Sequence, residues 1–262
     1  MPTLPANEIN IYYEQSGHGP DLVLVSGLSV DHTMWNVNQF SDRFRVLVFD
    51  NRGVGQTDTP EGPYNMSMFV GDTIALCNAL GIKKAHFVGH SMGGHIAQYL
   101  AAHYPDRINK LVLACSEQIF STISYFATKI QIELRKYHIP RKILIENYLP
   151  VLFSSTFLED KNRIEAYIHD SLNKLNPQSD KGFIAQVEAL RTHDTKDLLS
   201  KIHCPTLVIG CENDLLTPLE NSKLLAKHIA NATLEVIRDC GHAPFIEKPE
   251  EFYKIIRDFL IE

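Results

Sequence analysis

KAHFVGHSMGGHIAQYLAAHY (residues 84–104) reads as a strand-like run, KAHFVGH, that passes directly into a helical run from Ser91 to about Tyr104. The join is Gly89-His90-Ser91-Met92-Gly93, a G-x-S-x-G sequence in the strand-to-helix context that gives this pattern its meaning. A serine at such a join sits on a tight turn with strained backbone angles, so that its Oγ projects above the sheet. Side chains larger than glycine two positions to either side would collide with that turn, which makes Gly89 and Gly93 steric necessities. A helix that begins at the serine also places free N–H groups and partial positive charge where an oxyanion forms during acyl transfer. Taken alone, the pentapeptide has a competing reading as a glycine-rich turn without chemistry.

Outward from this join, strand-like and helix-like segments alternate. DLVLVSG (21–27) and RFRVLVFDNRG (43–53) are short, β-branched, apolar runs ending in glycine, with helix-length segments between and after them. An apolar-periodic helix from Met66 to Leu80 stops at Gly81, and KLVLAC (110–115) is a further strand. From about 117 to 195 the alternation gives way to helix after helix, in segments such as ISYFATKIQIELRKYH and RKILIENYLPVLFSS. It resumes with PTLVIGC (205–211), a helix from Pro218 to Ile229, TLEVI (233–237) and a last helix from Pro249 to Leu260. Parallel strands need crossover connections, so this order predicts an α/β fold with a mostly parallel central sheet flanked by helices. It also predicts a core of residues 1–116 and 196–262, interrupted by a helical cap at 117–195.

The composition, 44% hydrophobic and 21% charged, lies near globular averages and excludes disorder, collagen-like repeats and a disulfide scaffold. A net charge of −6 offers no basic field to nucleic acid or to an anionic membrane. Five cysteines, Cys77, Cys115, Cys204, Cys211 and Cys240, are odd in number and scattered without a C-x-x-C pair. They read as reduced and mostly buried, with no zinc-like spacing. No apolar run reaches the roughly 18 residues of a membrane helix, and the first residues lack the basic and apolar regions of a signal peptide. The cytoplasm is therefore the expected compartment.

A serine hydroxyl is a poor nucleophile until an imidazole takes its proton. Of twelve histidines, His242 lies in Asp239-Cys240-Gly241-His242-Ala243-Pro244-Phe245, after the last predicted strand, at the carboxyl edge where catalytic groups of open α/β sheets gather. Asp214, in Gly210-Cys211-Glu212-Asn213-Asp214, follows the penultimate strand and is the candidate to orient the imidazole. It also suits a helix N-cap before Leu215-Leu216-Thr217-Pro218, and Asp239 and Glu212 compete with it as carboxylates. The backbone N–H groups of Leu28 and Met92 are the expected oxyanion donors, with Gly27 giving the backbone room. His90, Asp50, Asn51 and Arg52 read as structural, and His193 with Asp194 as a solvent-facing or capping pair. In the cap, Phe120, Tyr125, Phe126, Tyr148, Leu149, Phe153 and Phe157 suit packing or an apolar pocket wall. Lys129, Arg135, Lys136, Arg141 and Lys142 suit a solvated helix face, or a site for a carboxylated substrate or an acyl carrier protein.

VSGLS (25–29), FDNRGVGQTD (49–58), GHSMGG (89–94), PTLVIGCEND (205–214) and DCGHAPF (239–245) together resemble lidded serine hydrolases of the α/β-hydrolase superfamily. RTHDTKDLLSKIHCPTLVIG (191–210), with the NRG loop, is most similar to the 3-oxoadipate enol-lactonase and arylesterase-like group. That family usually carries His-Gly where this chain has Ser26-Gly27, a departure that keeps the Leu28 N–H but alters the hydrogen bonding around it. The resemblance implies hydrolysis of a small carboxylic ester or lactone through an acyl-enzyme on Ser91, with Asp214 and His242 completing the triad and with no cofactor or metal. On the same fold the alternatives are an acyl-carrier or thioester esterase, a carbon–carbon bond hydrolase, a perhydrolase or haloperoxidase, and a slow-turnover ligand receptor. A second copy of the chain and an acyl carrier protein stay open as protein partners.

Overall fold

Leu22 and Leu24 pack against one face of the central sheet while Val23 and Val25 pack against the other, and all four are fully buried. A strand covered on both faces needs a continuous apolar run, which is what DLVLV and RVLVF provide. In the computed structural model, which describes residues 3–262, the strands are β1 (Thr3–Ala6), β2 (Ile9–Ser16), β3 (Asp21–Val25), β4 (Arg45–Phe49), β5 (Ala85–His90), β6 (Ile108–Ala114), β7 (Thr206–Cys211) and β8 (Ala232–Ile237). They form one sheet in the order β1-β2-β4-β3-β5-β6-β7-β8. The β1–β2 and β2–β4 pairs are antiparallel and all the others parallel.

The crossovers supply the two covering layers. Helices α1 (Met66–Ala79), α2 (Met92–His103) and α8 (Leu219–His228) bring Leu76, Ile96, Leu100 and Leu225 onto the face that carries Val23 and Val25. Helix α10 (Pro249–Ile261) brings Phe252, Ile256 and Leu260 onto the face of Leu22, Leu24 and Trp35. Between β6 and β7 the chain makes five consecutive helices: α3 (Thr122–Lys136), α4 (Arg141–Leu152), α5 (Ser155–Glu159), α6 (Lys161–Leu172) and α7 (Asp180–Leu190). A short α9 (Pro244–Glu247) precedes α10.

Two features differ from the expectation. The first residues make the β1–β2 hairpin, whose turn holds Asn7 and Glu8 at φ 49° and 67°. Glu8 stands where a glycine normally marks such a turn, so the usual hairpin signal is missing. Between β3 and β4 there are only two three-residue 3-10 turns, His32–Met34 and Val37–Gln39. The Asp31 side chain accepts from the Thr33 N–H at 3.1 Å, and Trp35 is buried with its Nε1 donating to Ser26 Oγ at 3.1 Å. These side-chain bonds compete with a regular helix.

Candidate active site

Strand β5 runs into helix α2 through Ser91, which has φ 53° and ψ −119°. Its N–H donates to the Ala114 carbonyl at 2.9 Å, tying the turn to the end of β6. A methyl group on Gly89 would run into the carbonyl of Gly93, and one on Gly93 would run into the carbonyl of Val25. The glycines therefore let three backbone segments close around a residue held in a strained conformation.

Ser91 Oγ and His242 Nε2 lie 2.9 Å apart, and His242 Nδ1 and Asp214 Oδ2 lie 2.8 Å apart. His242 and Asp214 are both buried. Asp214 Oδ1 accepts the N–H groups of Leu216 and Thr217, each at 2.9 Å, and Oδ2 also accepts the Thr217 hydroxyl at 2.7 Å. One carboxylate thus both caps the turn that follows it and faces the imidazole. Asp239 instead accepts the Thr156 hydroxyl at 2.8 Å, while Glu212 accepts the Asp239 N–H at 3.0 Å; His242 is hydrogen-bonded to neither.

The loop carrying His242 is held from three directions. The His242 N–H donates to the Leu152 carbonyl at 2.7 Å, and His90 Nε2 donates to the His242 carbonyl at 2.8 Å. Burial pushes the His90 pKa down to about 3, so this ring is neutral and available as that donor. The third support is Glu247, which accepts the Gly241 N–H at 2.8 Å and the Ser154 hydroxyl at 2.6 Å. Glu247 was not singled out from the sequence, because a single acid at the end of the short α9 carries no pattern of its own.

Gly27 lies against Ser91: a methyl group there would stand 3.3 Å from both Ser91 Cβ and the His90 carbonyl. Among the described residues, the N–H groups of Leu28 and Met92 have no protein acceptor. Ser26 Oγ accepts from Trp35 Nε1 and donates to the Asp31 carbonyl at 3.3 Å, and its own carbonyl accepts Asn51 Nδ2 at 3.0 Å. The serine in place of the familiar histidine is thus committed to anchoring Trp35 and the loop. Asp50 accepts the N–H groups of His32 and Gln56, and Arg52 pairs with Asp72 at 2.6 Å, so both brace the neighbouring loops.

Ser91, His242 and Leu28 line a cavity of about 840 Å³, whose far wall comes from α3, α4, α6 and α7. Phe120, Tyr148 and Phe157 reach it. Tyr125 and Phe126 face solvent instead, and Leu149 and Phe153 pack with Ala243 in a small separate core. The basic residues divide in the same way. Arg135 and Arg141 line the cavity, whereas Lys136 and Lys142 pair with Glu133 and Glu146 at the surface and Lys129 lies over the exposed rings of Tyr125 and Phe126. Helical periodicity could not separate the two sets without knowing which face each helix turns inward.

Glu117, on the same wall, is buried, and its pKa is pushed up to about 7 by that burial. It accepts the Ser121 N–H at 3.1 Å and Asn221 Nδ2 at 2.9 Å, joining the start of α3 to α8. The expected solvent-facing pair also divides: Asp194 is exposed, but His193 is buried, stacked on His95 at 3.9 Å. The reason is the antiparallel bridge between Ile119 and Asp194, which brings the two ends of the helical segment together over α2.

His90, Cys115 and His242 are the one grouping of metal-ligand types among the described residues, with ligand atoms within 4.8 Å of one another. Both nitrogens of His242 already serve Asp214 and Ser91, and His90 Nε2 serves a carbonyl, so this donor set fits the hydrogen-bonded site better than an ion. The five cysteines are all free thiols, four of them buried.

Comparison with known proteins places these features in context. The sequence model of the α/β hydrolase fold matches residues 20–249. The chain is 31% identical over 255 residues to 3-oxoadipate enol-lactonase 2 of Acinetobacter baylyi, a match that covers 95% of this chain and 92% of that one. It is 30% identical over 270 residues to a 2-hydroxy-6-oxo-6-phenylhexa-2,4-dienoate hydrolase of Comamonas testosteroni, covering 95% and 91%. The crystal structure of the enol-lactonase from Burkholderia xenovorans LB400 superposes with a TM-score of 0.89 at 29% identity, covering 100% of both chains.

Proposed function

The chain belongs to the α/β-hydrolase fold family, and on that premise we propose that it hydrolyses a carboxylic ester or lactone through an acyl-enzyme on Ser91. The observation that carries this reading is the unbroken line from Ser91 Oγ through His242 to Asp214 at the wall of a large cavity. His242 Nε2 takes the serine proton as Oγ attacks the carbonyl, and Asp214 holds Nδ1–H so that Nε2 is the basic nitrogen. The N–H groups of Leu28 and Met92 receive the negative charge of the tetrahedral intermediate, each worth about 3 kcal/mol in comparable sites. His242 then protonates the departing alcohol or enol, and a water activated by the same nitrogen releases the acid.

Residues 117–195 act as a cap over a core of 1–116 and 196–262, so the cap helices shape the pocket and select the substrate. Arg135 and Arg141 give its wall positive charge, which favours a substrate bearing a carboxylate. The test of the whole reading is steady-state hydrolysis of p-nitrophenyl butyrate by the wild-type protein and by Ser91→Ala. Multiple turnover that disappears in the variant is the expected result; equal turnover in both removes Ser91 as nucleophile.

A further inference from the structure

Helix α4 turns one stripe of side chains toward the cavity. Leu144, Ile145, Tyr148 and Leu152 line it, while Glu146, Asn147 and Pro150 are exposed on the other side of the helix. From Leu144 to Leu152 the stripe is apolar except for one oxygen, the Tyr148 hydroxyl. Among the described residues this hydroxyl has no hydrogen-bond partner, yet it is not one of the unpaired polar atoms sealed in the interior, so it opens on to the cavity.

Burial, more than the nearby charges of Arg135, Tyr167 and Asp214, holds the phenol pKa well above its ordinary value, so the hydroxyl is neutral and keeps its proton to donate. Arg135 and Tyr167 line the same cavity and Asp214 faces His242, so the hydroxyl that feels all three points into the site and not toward bulk solvent. The helix also sets the distance. The Leu152 carbonyl accepts the His242 N–H at 2.7 Å, and Tyr148 lies one turn earlier, about 6 Å along the axis. A group a few bonds from the carbonyl attacked by Ser91 spans that interval.

A phenylalanine would fill this wall as well, and the oxygen bonds nothing in the protein. Single polar groups placed in apolar pocket walls fix the orientation of a ligand. Leu144, Ile145 and Leu152 around the hydroxyl suit an uncharged acceptor over one that must keep its hydration. We propose that Tyr148 is a specificity-determining residue whose hydroxyl donates to an uncharged carbonyl oxygen that the substrate carries a few bonds from the carbonyl attacked by Ser91. The proposal rests on the ester-hydrolase reading of that serine.

The experiment uses two matched pairs of esters on the wild type and on Tyr148→Phe, which removes the oxygen and keeps the ring. One pair, p-nitrophenyl 5-oxohexanoate and hexanoate, carries the extra carbonyl in the acid part; the other, 4-oxopentyl and pentyl butyrate, carries it in the alcohol part. The wild type prefers the oxo ester in at least one pair. That preference, as a ratio of kcat/KM values, falls about fivefold in Tyr148→Phe, as loss of one neutral hydrogen bond would do. The unfolding midpoint is not lowered, since the hydroxyl bonds nothing in the protein. Calorimetric titration of the same esters into Ser91→Ala, with and without Tyr148→Phe, reads the ratio as Kd values without turnover. A ratio unchanged by Tyr148→Phe in both pairs overturns the proposal, as does a wild type without preference in either pair or a lowered midpoint in the variant. If no ester turns over but the Kd ratio shifts with Tyr148→Phe, the carbonyl subsite stands and the ester-hydrolase reading falls.

Discussion

Asp214→Asn isolates the role of one oxygen. In the wild type, Oδ1 accepts two backbone N–H groups and Oδ2 faces His242 Nδ1 at 2.8 Å. The carboxamide must keep its oxygen toward the two backbone donors, because its NH2 there would meet them head-on. The NH2 therefore takes the place of Oδ2 and donates to Nδ1. His242 is driven into the tautomer with its proton on Nε2, facing Ser91 Oγ, where it can no longer accept the serine proton. In the analogous substitution of a serine protease the loss is about four orders of magnitude in kcat, which is about 5.5 kcal/mol in the barrier. The assay is p-nitrophenyl butyrate hydrolysis under saturation, with thermal unfolding run in parallel to show that the isosteric variant is folded. A folded Asp214→Asn protein that keeps more than a tenth of the wild-type kcat refutes the tautomer argument.

Three further outcomes are expected. Gly93→Ala drives a methyl group into the Val25 backbone carbonyl, which has little freedom to move, and lowers stability by about 3 kcal/mol; urea unfolding at unchanged slope reads this, and an unshifted midpoint would show that the turn can relax. Glu117 has a folded-state pKa of about 7 against an ordinary 4.5, so it binds its proton more tightly in the folded chain. Its contribution of about 3 kcal/mol is complete below pH 4.5 and is lost as the pH rises through 7. Glu117→Gln removes that dependence, and melting curves at intervals between pH 5 and 8 should converge at the acid end and separate in favour of the variant at the alkaline end; parallel curves contradict the shift. Arg141→Met lowers kcat/KM for the p-nitrophenyl half-ester of succinate about tenfold more than for the butyrate, as loss of a partly exposed charge-assisted bond would do. Equal losses on the two substrates would place the substrate carboxylate elsewhere.

The local grammar of this chain carried far. Strand runs such as DLVLV, the period change at Ser91 and the stop at Gly81 depend on neighbours within a few residues, and the observed β3, α1, β5 and α2 lie where those signals stand. The order of Ser91, Asp214 and His242 along the chain was equally legible, since each follows the carboxyl end of a different strand. The hairpin at Thr3–Ser16 was not, because its turn uses Asn7 and Glu8 in left-handed conformations without a glycine. Nor was the region between β3 and β4, where Asp31 and Trp35 bind locally instead of extending a helix.

What the sequence alone determined is the alternating α/β framework and the three loops that carry Ser91, Asp214 and His242, because strand burial and tight-turn sterics are read from adjacent residues. Only the tertiary structure decided what surrounds them. It turned Arg135 and Arg141 inward and Lys136 and Lys142 outward, buried His193 beneath the bridge from Ile119 to Asp194 and set Glu247 under the His242 loop. Each of these follows from how the helices between β6 and β7 pack on the sheet, and that packing joins residues far apart in the chain, where no local pattern reaches.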